Sequence, residues 1–260
     1  KNLNGSLKTI VASNIIKKTN LNHLFILDNL EDALYFLDDL NNLNQKISCH
    51  LLPSSERIQA GDNNVILERI NTLNNIIKRK NTCVITDFKT IKEEIITKKA
   101  FKEKQIKIQI GDKIHLNKLI EQLNDFNFRN TNFVLEPGDF AIRGFIIDIF
   151  SYSNDIPYRI TLDNDIVEGM TSFEVASQVS VNQFNEINII SNIEHDLGDK
   201  DKTTFFSYLP KNTVLWINNP IVLFENNKDA DKLPSEEDEN IQKIIKEFSC
   251  LYTGHVLNGN

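Results

Sequence analysis

Glu136-Pro137-Gly138-Asp139-Phe140-Ala141-Ile142-Arg143-Gly144-Phe145-Ile146-Ile147-Asp148-Ile149-Phe150, with Pro157-Tyr158-Arg159-Ile160 shortly after it, decides the fold of the middle of this chain. Pro137-Gly138 is a turn signal, because proline fixes φ and glycine accepts the positive φ that tight turns need. The apolar runs on either side of Gly144 predict two strands joined by a bend, and a third strand begins at Tyr158. Period two on that third strand puts Arg159 and Thr161 on one face and Tyr158, Ile160 and Leu162 on the other, so Arg159 is expected on the solvated face. Arg143 stands at the Gly144 bend, where a bulge is expected to aim its side chain outward. Two guanidiniums on one small exposed sheet suit an acidic or planar partner group. The alternative for the same residues is that both arginines merely pair with Asp148, Asp163 or Asp165.

Working outward, Phe133–Leu135 and Ile166–Met170 read as further short strands, Ile114–Phe126 as an amphipathic helix, and Ile106–Ile110 as a period-two strand. Together they predict a compact antiparallel α+β unit. A Lys-rich stretch (Lys98, Lys99, Lys102, Lys104, Lys107) precedes it and marks a boundary. Upstream the texture differs. Residues 7–18, Leu30–Leu43 and Val65–Ile77 have helical spacing, and they alternate with short apolar runs at Leu24–Leu27, Ile47–Leu52 and Cys83–Asp87. Such alternation predicts a mainly parallel sheet covered on both faces. Thr213–Ile217 returns to buried-strand texture, and Pro234–Glu239 reads as a loop into a helix at Ile241–Phe248. The organisation expected is therefore an α/β domain that begins with residues 1–103, is interrupted by an inserted α+β domain (104–190) and resumes, incompletely, over 191–260.

Composition narrows the function. The 260 residues hold 29 Lys and Arg against 36 Asp and Glu, a net charge of −7, which opposes the electrostatic footprint of an autonomous duplex-DNA binder. Proteins are the expected partners. No apolar run is long enough to cross a membrane and no signal-peptide pattern stands at the start, so a cytoplasmic address is expected. Cys49, Cys83 and Cys250, and likewise His23, His50, His115, His195 and His255, are scattered without metal-ligand spacing. No metal, no bound cofactor and no catalytic residue is expected.

One motif bears on an enzymatic reading. Residues 2–9, N-L-N-G-S-L-K-T, keep Lys8 and Thr9 of the phosphate-loop pattern but carry Asn2 and Leu7 where its two glycines belong. Those glycines let backbone N–H groups wrap a phosphate, and a Leu side chain before the lysine fills that space. Lys8 and Thr9 thus mark a degenerate, inactive phosphate loop. The alternative is a nucleotide-binding half-domain around Lys8 and Thr9.

The run E-P-G-D-F-A-I-R-G-F-I-I-D-I-F, then N-D-I-P-Y-R-I, then S-F-E-V-A-S-Q resembles the second domain of bacterial transcription-repair coupling factors and, less closely, of excinuclease B. G-S-L-K-T-I-V-A-S near the start and P-K-N-T-V-L-W-I near the end extend the resemblance. The resemblance implies a degenerate RecA-like, non-hydrolysing copy of the excinuclease B architecture whose inserted domain docks excinuclease A, with Arg143 and Arg159 matching two arginines of that contact. It also implies that RNA polymerase, duplex DNA, ATP and Mg are bound by other domains of the full-length family, an ATP-dependent translocase. Three departures stand out. Asp163 falls where the family has an aromatic anchor, Phe145 replaces the second glycine of the usual R-G-G, and Thr171 replaces a frequent Arg. The segment between Pro53 and Val65 is also shorter than the family's.

Overall fold

The computed structural model describes residues 6–43, 48–59, 63–78, 81–195, 197–220 and 236–253. The chain runs α1 (Ser6–Lys18), β1 (Asn22–Leu27), α2 (Leu30–Leu43), β2 (Cys49–Leu51), α3 (Glu56–Gln59), α4 (Asn63–Lys78), β3 (Cys83–Asp87) and β4 (Glu94–Ile96). Next come α5 (Lys98–Glu103), β5 (Gln105–Gln109), α6 (Leu116–Asp125), β6 (Arg129–Asn130), β7 (Asp139–Arg143), β8 (Ile146–Ile149), β9 (Tyr158–Asp163), β10 (Ile166–Phe173), β11 (Ser180–Gln183) and β12 (Glu186–Ile190). It closes with β13 (Lys202–Thr204), β14 (Thr213–Ile217), α7 (Glu236–Ile245) and β15 (Ser249–Tyr252). Contacts divide it into two units, Lys1–Ile95 with Thr203–Asn260, and Ile96–Lys202.

The first unit is a parallel α/β layer structure with strand order β15-β14-β1-β3-β2. Every residue of β1 and of β3 is buried, which requires cover on both faces and accounts for their nearly continuous apolar sequence. Helix α2 starts where Asn29 caps it: the Asp32 N–H donates to Asn29 Oδ1 at 2.9 Å, and Glu31 and Asp32 occupy the positive end of the helix dipole. Its Ala33, Phe36 and Leu40 recur at three and four and pack on Phe25, Leu51 and Ile85. Cys49 and Cys83, remote along the chain, are register partners on β2 and β3. Helix α7 ends at Ile245, short of the expected Phe248, because the chain turns there and enters β15. Glu236 already lies within α7, whereas Pro234 and Ser235 lie outside the described residues, as does Ile47 at the head of the expected strand.

In the second unit a six-stranded sheet, β11-β10-β9-β8-β7-β6, is antiparallel except for the β6–β7 pair. One face buries Phe140, Ile147, Ile149, Ile160 and Met170 in a core shared with Leu119 and Leu123 of α6 and with the β5–β12 ribbon. The Lys-rich stretch forms α5, capped by Thr97, whose Oγ1 accepts from the Ala100 N–H at 3.2 Å.

Two expectations fail here for physical reasons. Phe133–Leu135 is not a strand, since the N–H groups of Leu135 and Glu136 donate to the Asp139 carboxylate, each at 3.1 Å, rather than to a neighbouring strand. Val134 instead plugs a small second cluster with Ala141, Phe150 and Phe173. No bulge forms at Gly144 either. Arg143 pairs with Ile146 across a two-residue turn, Gly144-Phe145, and the register shifts fall on β10.

Candidate protein-docking site

The face of the six-stranded sheet opposite its main core carries the site. Cross-strand register aligns Ala141, Asp148, Arg159, Thr171 and Gln183 in one row, and Arg143, Ile146, Thr161 and Gly169 in the next. Residues directly opposite on antiparallel strands share a face, so this register brings both arginines onto the side of Asp148.

Asp148 is buried, its side chain 2% exposed, and both guanidiniums converge on it. Arg159 Nε donates to Asp148 Oδ1 at 2.7 Å and Nη2 to Oδ2 at 2.9 Å, a two-pronged pairing that matches the planar fork to the carboxylate. Arg143 Nη2 donates to the same Oδ2. Of the three acids that sequence offers as partners, Asp148 takes the arginines. Asp165 instead lies 4.0 Å from Lys113 Nζ.

The two arginines differ in freedom. Arg159 is held on three sides: Asp148 beside it, the Phe173 ring 4.3 Å from its guanidinium carbon, and Gln178 Oε1 accepting from Nη2 at 3.0 Å. Its side chain is 20% exposed, and its hydrogen bonds to Asp148 raise its pKa further. Arg143 is 39% exposed, stacks at 5.6 Å over Phe133, and engages Asp148 through Nη2. It is the more exposed member of the pair.

Sequence reasoning misses Gln178, Phe173 and Phe133. Gln178 and Phe173 lie in S-F-E-V-A-S-Q, and the positive φ of Gln178 (59°), with its Nε2 donating to the Val175 carbonyl at 2.8 Å, fixes the amide that holds Arg159. Their place in a short polar loop that follows an apolar strand is the available signal. Phe133 is hidden when its segment is read as a strand.

The Glu136-Pro137-Gly138-Asp139 turn supports the site from one end. Arg129 Nη2 bonds Asp139 Oδ1 at 2.8 Å and also bonds Glu136, while Asp139 Oδ2 takes the two backbone N–H groups described above. Gly138 has φ +93°, and a Cβ there would overlap the Tyr152 ring. Only glycine satisfies both conditions. Asp163 closes β9 beside the turn Asn164-Asp165, with Asn164 at φ +55°. It is exposed, as is Thr171's neighbour Gln183 on the outer strand.

Lys8 and Thr9 line a separate cavity of about 290 Å³ in the first unit, with Leu27, Asp32, Tyr35, Phe36, Asp39 and Asn218. Lys8 Nζ bonds Asn218 Oδ1, and Thr9 Oγ1 donates to Asp39 Oδ2 at 3.4 Å. Burial lowers the Lys8 pKa, opposed by Asp28 and Asp32. The lysine is thus surrounded by carboxylates, which would repel a polyphosphate. Residues 1–5 of the degenerate loop lie outside the described residues. Among the described residues no cluster of three or more His, Cys, Asp or Glu is arranged to hold a metal ion.

An α+β domain in which two arginines converge on a buried carboxylate on one sheet face is thus inserted in sequence into a parallel α/β unit. Residues 106–195 match the UvrB interaction domain family. The chain is 28% identical over 191 residues to the transcription-repair-coupling factor of Bacillus subtilis (strain 168), covering 72% of this chain and 16% of that protein. It is 24% identical over 136 residues to the one of Haemophilus influenzae (52% and 12%), and 22% identical over 172 residues to the one of Escherichia coli K12 (64% and 15%). The chain therefore spans less than a fifth of each of these relatives. The chain is thus similar to a segment of transcription-repair-coupling factors and, over residues 106–195, to the UvrB interaction domain.

Proposed function

We propose that this chain recruits nucleotide excision repair by docking excinuclease A, as one module of a coupling factor that acts on RNA polymerase stalled at DNA damage. The observation that carries the reading is Arg143, fixed by Asp148 yet still exposed, inside the segment that matches the UvrB interaction domain. Arg143 supplies the direct contact, and Arg159, largely covered, contacts the partner through its remaining edge while positioning Asp148. The docking domain corresponds to residues 104–190. Residues 1–103 and 191–260 form a degenerate RecA-like carrier that holds no cofactor of its own and does not hydrolyse ATP. ATP, Mg, duplex DNA and RNA polymerase are engaged by other regions of the full-length protein, in the cytoplasm. No helix among the described residues is long and apolar enough to cross a membrane.

Calorimetry with purified excinuclease A tests the reading. Arg143→Ala should weaken binding at least tenfold, in keeping with loss of an interface arginine. Unchanged affinity in Arg143→Ala and Arg159→Ala, or no binding by the intact chain, would overturn it.

A nucleotide-binding half-domain is the second reading, and one observation favours it. Lys8 and Thr9 sit in a cavity beyond the carboxyl ends of β1 and β14, the place where open parallel sheets bind ligands. Asp32 and Asp39 in its wall argue against it. Titration with ATP, with and without Mg, decides: saturable binding lost in Lys8→Ala would establish that reading.

A further inference from the structure

The sheet face that carries Asp148 ends in two hairpins of opposite character. The β9–β10 turn, Asp163-Asn164-Asp165-Ile166, carries two exposed carboxylates. The β7–β8 turn, Gly144-Phe145, carries none and presents a phenyl ring that is 63% exposed. That ring stands on fixed backbone. Gly144 has φ +61°, and the Phe145 carbonyl accepts the Leu162 N–H at 2.8 Å, tying the turn to β9. A second ring, Phe133, is 60% exposed and lies against the guanidinium of Arg143, which ends β7. A half-exposed arginine thus has one solvent-facing aromatic stacked on it and another two residues away. Arginine and large aromatics are the residue types that dominate binding energy, and stiff rings lose little conformational entropy when covered. An acidic partner is attracted to Arg143 and repelled by Asp163 and Asp165, so charge also favours the β7–β8 end.

We propose that the docking surface is centred on the β7–β8 hairpin, with Phe145 and Phe133 as aromatic anchors on either side of Arg143, and that it accepts from excinuclease A a carboxylate surrounded by apolar side chains. The proposal rests on the docking function argued above and adds where the contact is centred. It also accounts for an aspartate at position 163, since the aromatic contact is made from the neighbouring turn.

The test is calorimetry of the intact chain against excinuclease A of the same organism. Variants are Phe145→Gly, Phe145→Ser, Phe133→Ala, Arg143→Ala and Asp163→Ala, each checked by circular dichroism. The three Phe variants should each weaken binding at least tenfold, and Asp163→Ala should leave it within threefold or tighten it. Phe variants that bind within twofold of the parent while Arg143→Ala weakens binding would overturn the aromatic anchors and leave the docking function standing. Loss of affinity in Asp163→Ala that exceeds the loss in Phe145→Gly would move the centre to the other hairpin and overturn the proposal. If no variant, Arg143→Ala included, changes affinity, the docking function itself fails and this inference with it.

Discussion

Replacing Asp148 by asparagine keeps the shape of the side chain and removes the charge on which two guanidiniums converge. Asp148 accepts from Arg159 Nε, Arg159 Nη2 and Arg143 Nη2, and its side chain is 2% exposed. Removing one partner of a buried ion pair costs about 3–5 kcal/mol, because the remaining charge is left desolvated. The share of Arg143 is small, since a side chain 39% exposed can turn to water. Arg159 is confined between Phe173 and Gln178 and cannot, so most of the cost falls on it. A loss of about 3 kcal/mol is expected. Amide hydrogen exchange followed peptide by peptide reads this directly. Amides of β8, β9 and β10 should exchange about a hundredfold faster in Asp148→Asn, at about 1.4 kcal/mol per decade, while β1 and β3 serve as internal reference. Exchange in β8–β10 within threefold of the parent would refute the view that this carboxylate holds the face together.

Gly138→Ala combines a left-handed φ with overlap against Tyr152 and should cost about 2–4 kcal/mol in urea unfolding. Tyr152→Phe should not rescue it, because the ring carbon Cζ would still lie 2.8 Å from the new Cβ; full rescue would sink this account. Glu93→Ala removes a carboxylate 2.9 Å from Arg69, whose side chain is 0% exposed, and should destabilise by about 3–5 kcal/mol, whereas Arg69→Met combined with Glu93→Leu should cost clearly less; equal losses would contradict it. His23 is buried, accepts from Trp216 Nε1 at 3.1 Å, and has its pKa lowered to about 4 by burial. The unfolded chain, with the ordinary value of about 6.5, therefore takes up a proton first. Stability from this group is complete above about pH 6.5 and falls by on the order of 1–2 kcal/mol as pH drops towards 4, after allowance for solvent screening. Urea midpoints compared at about pH 7 and about pH 4.5 should show a shallower pH dependence in His23→Gln, and an identical slope in both proteins would exclude His23 as its source.

How much of this is legible in the sequence depends on the range of the interactions. The strands of the parallel sheet can be read because burial on both faces leaves an unbroken apolar run, as in Leu24–Leu27 and Cys83–Asp87. The alternation on β9 separates Arg159 from Tyr158 and Ile160, since period two is a local property, but the face expected to be solvated buries Ala141, Asp148 and Phe173 and leaves Arg159 only 20% exposed. Phe133–Leu135 misleads because an apolar triplet says nothing about where its N–H groups go, and here a side chain four residues on captures one of them. The convergence on Asp148 depends on register among three strands, and no local pattern chooses it over Asp163 or Asp165. Neighbouring cysteines on β2 and β3 are invisible for the same reason.

The motif that makes this chain recognisable is mostly scaffold. Pro137, Gly138 and Asp139 make a turn that must have its glycine, Asp148 and Gln178 hold Arg159, and Phe173 lies under its guanidinium. Little of that stretch remains for a partner beyond Arg143, the exposed edge of Arg159 and the aromatic rings beside Arg143. The shared carboxylate then has a double consequence. It cancels one of the two positive charges, so the face carries a weaker attraction than a pair of free arginines would exert. It also fixes Arg143 in a partly desolvated position, which reduces the ordering and desolvation that binding would otherwise demand. In a chain whose net charge is −7, long-range attraction of an acidic partner is weak in any case. Affinity then has to come from short-range fit around a preorganised arginine, and the exposed apolar rings of Phe133 and Phe145 beside it are able to supply it.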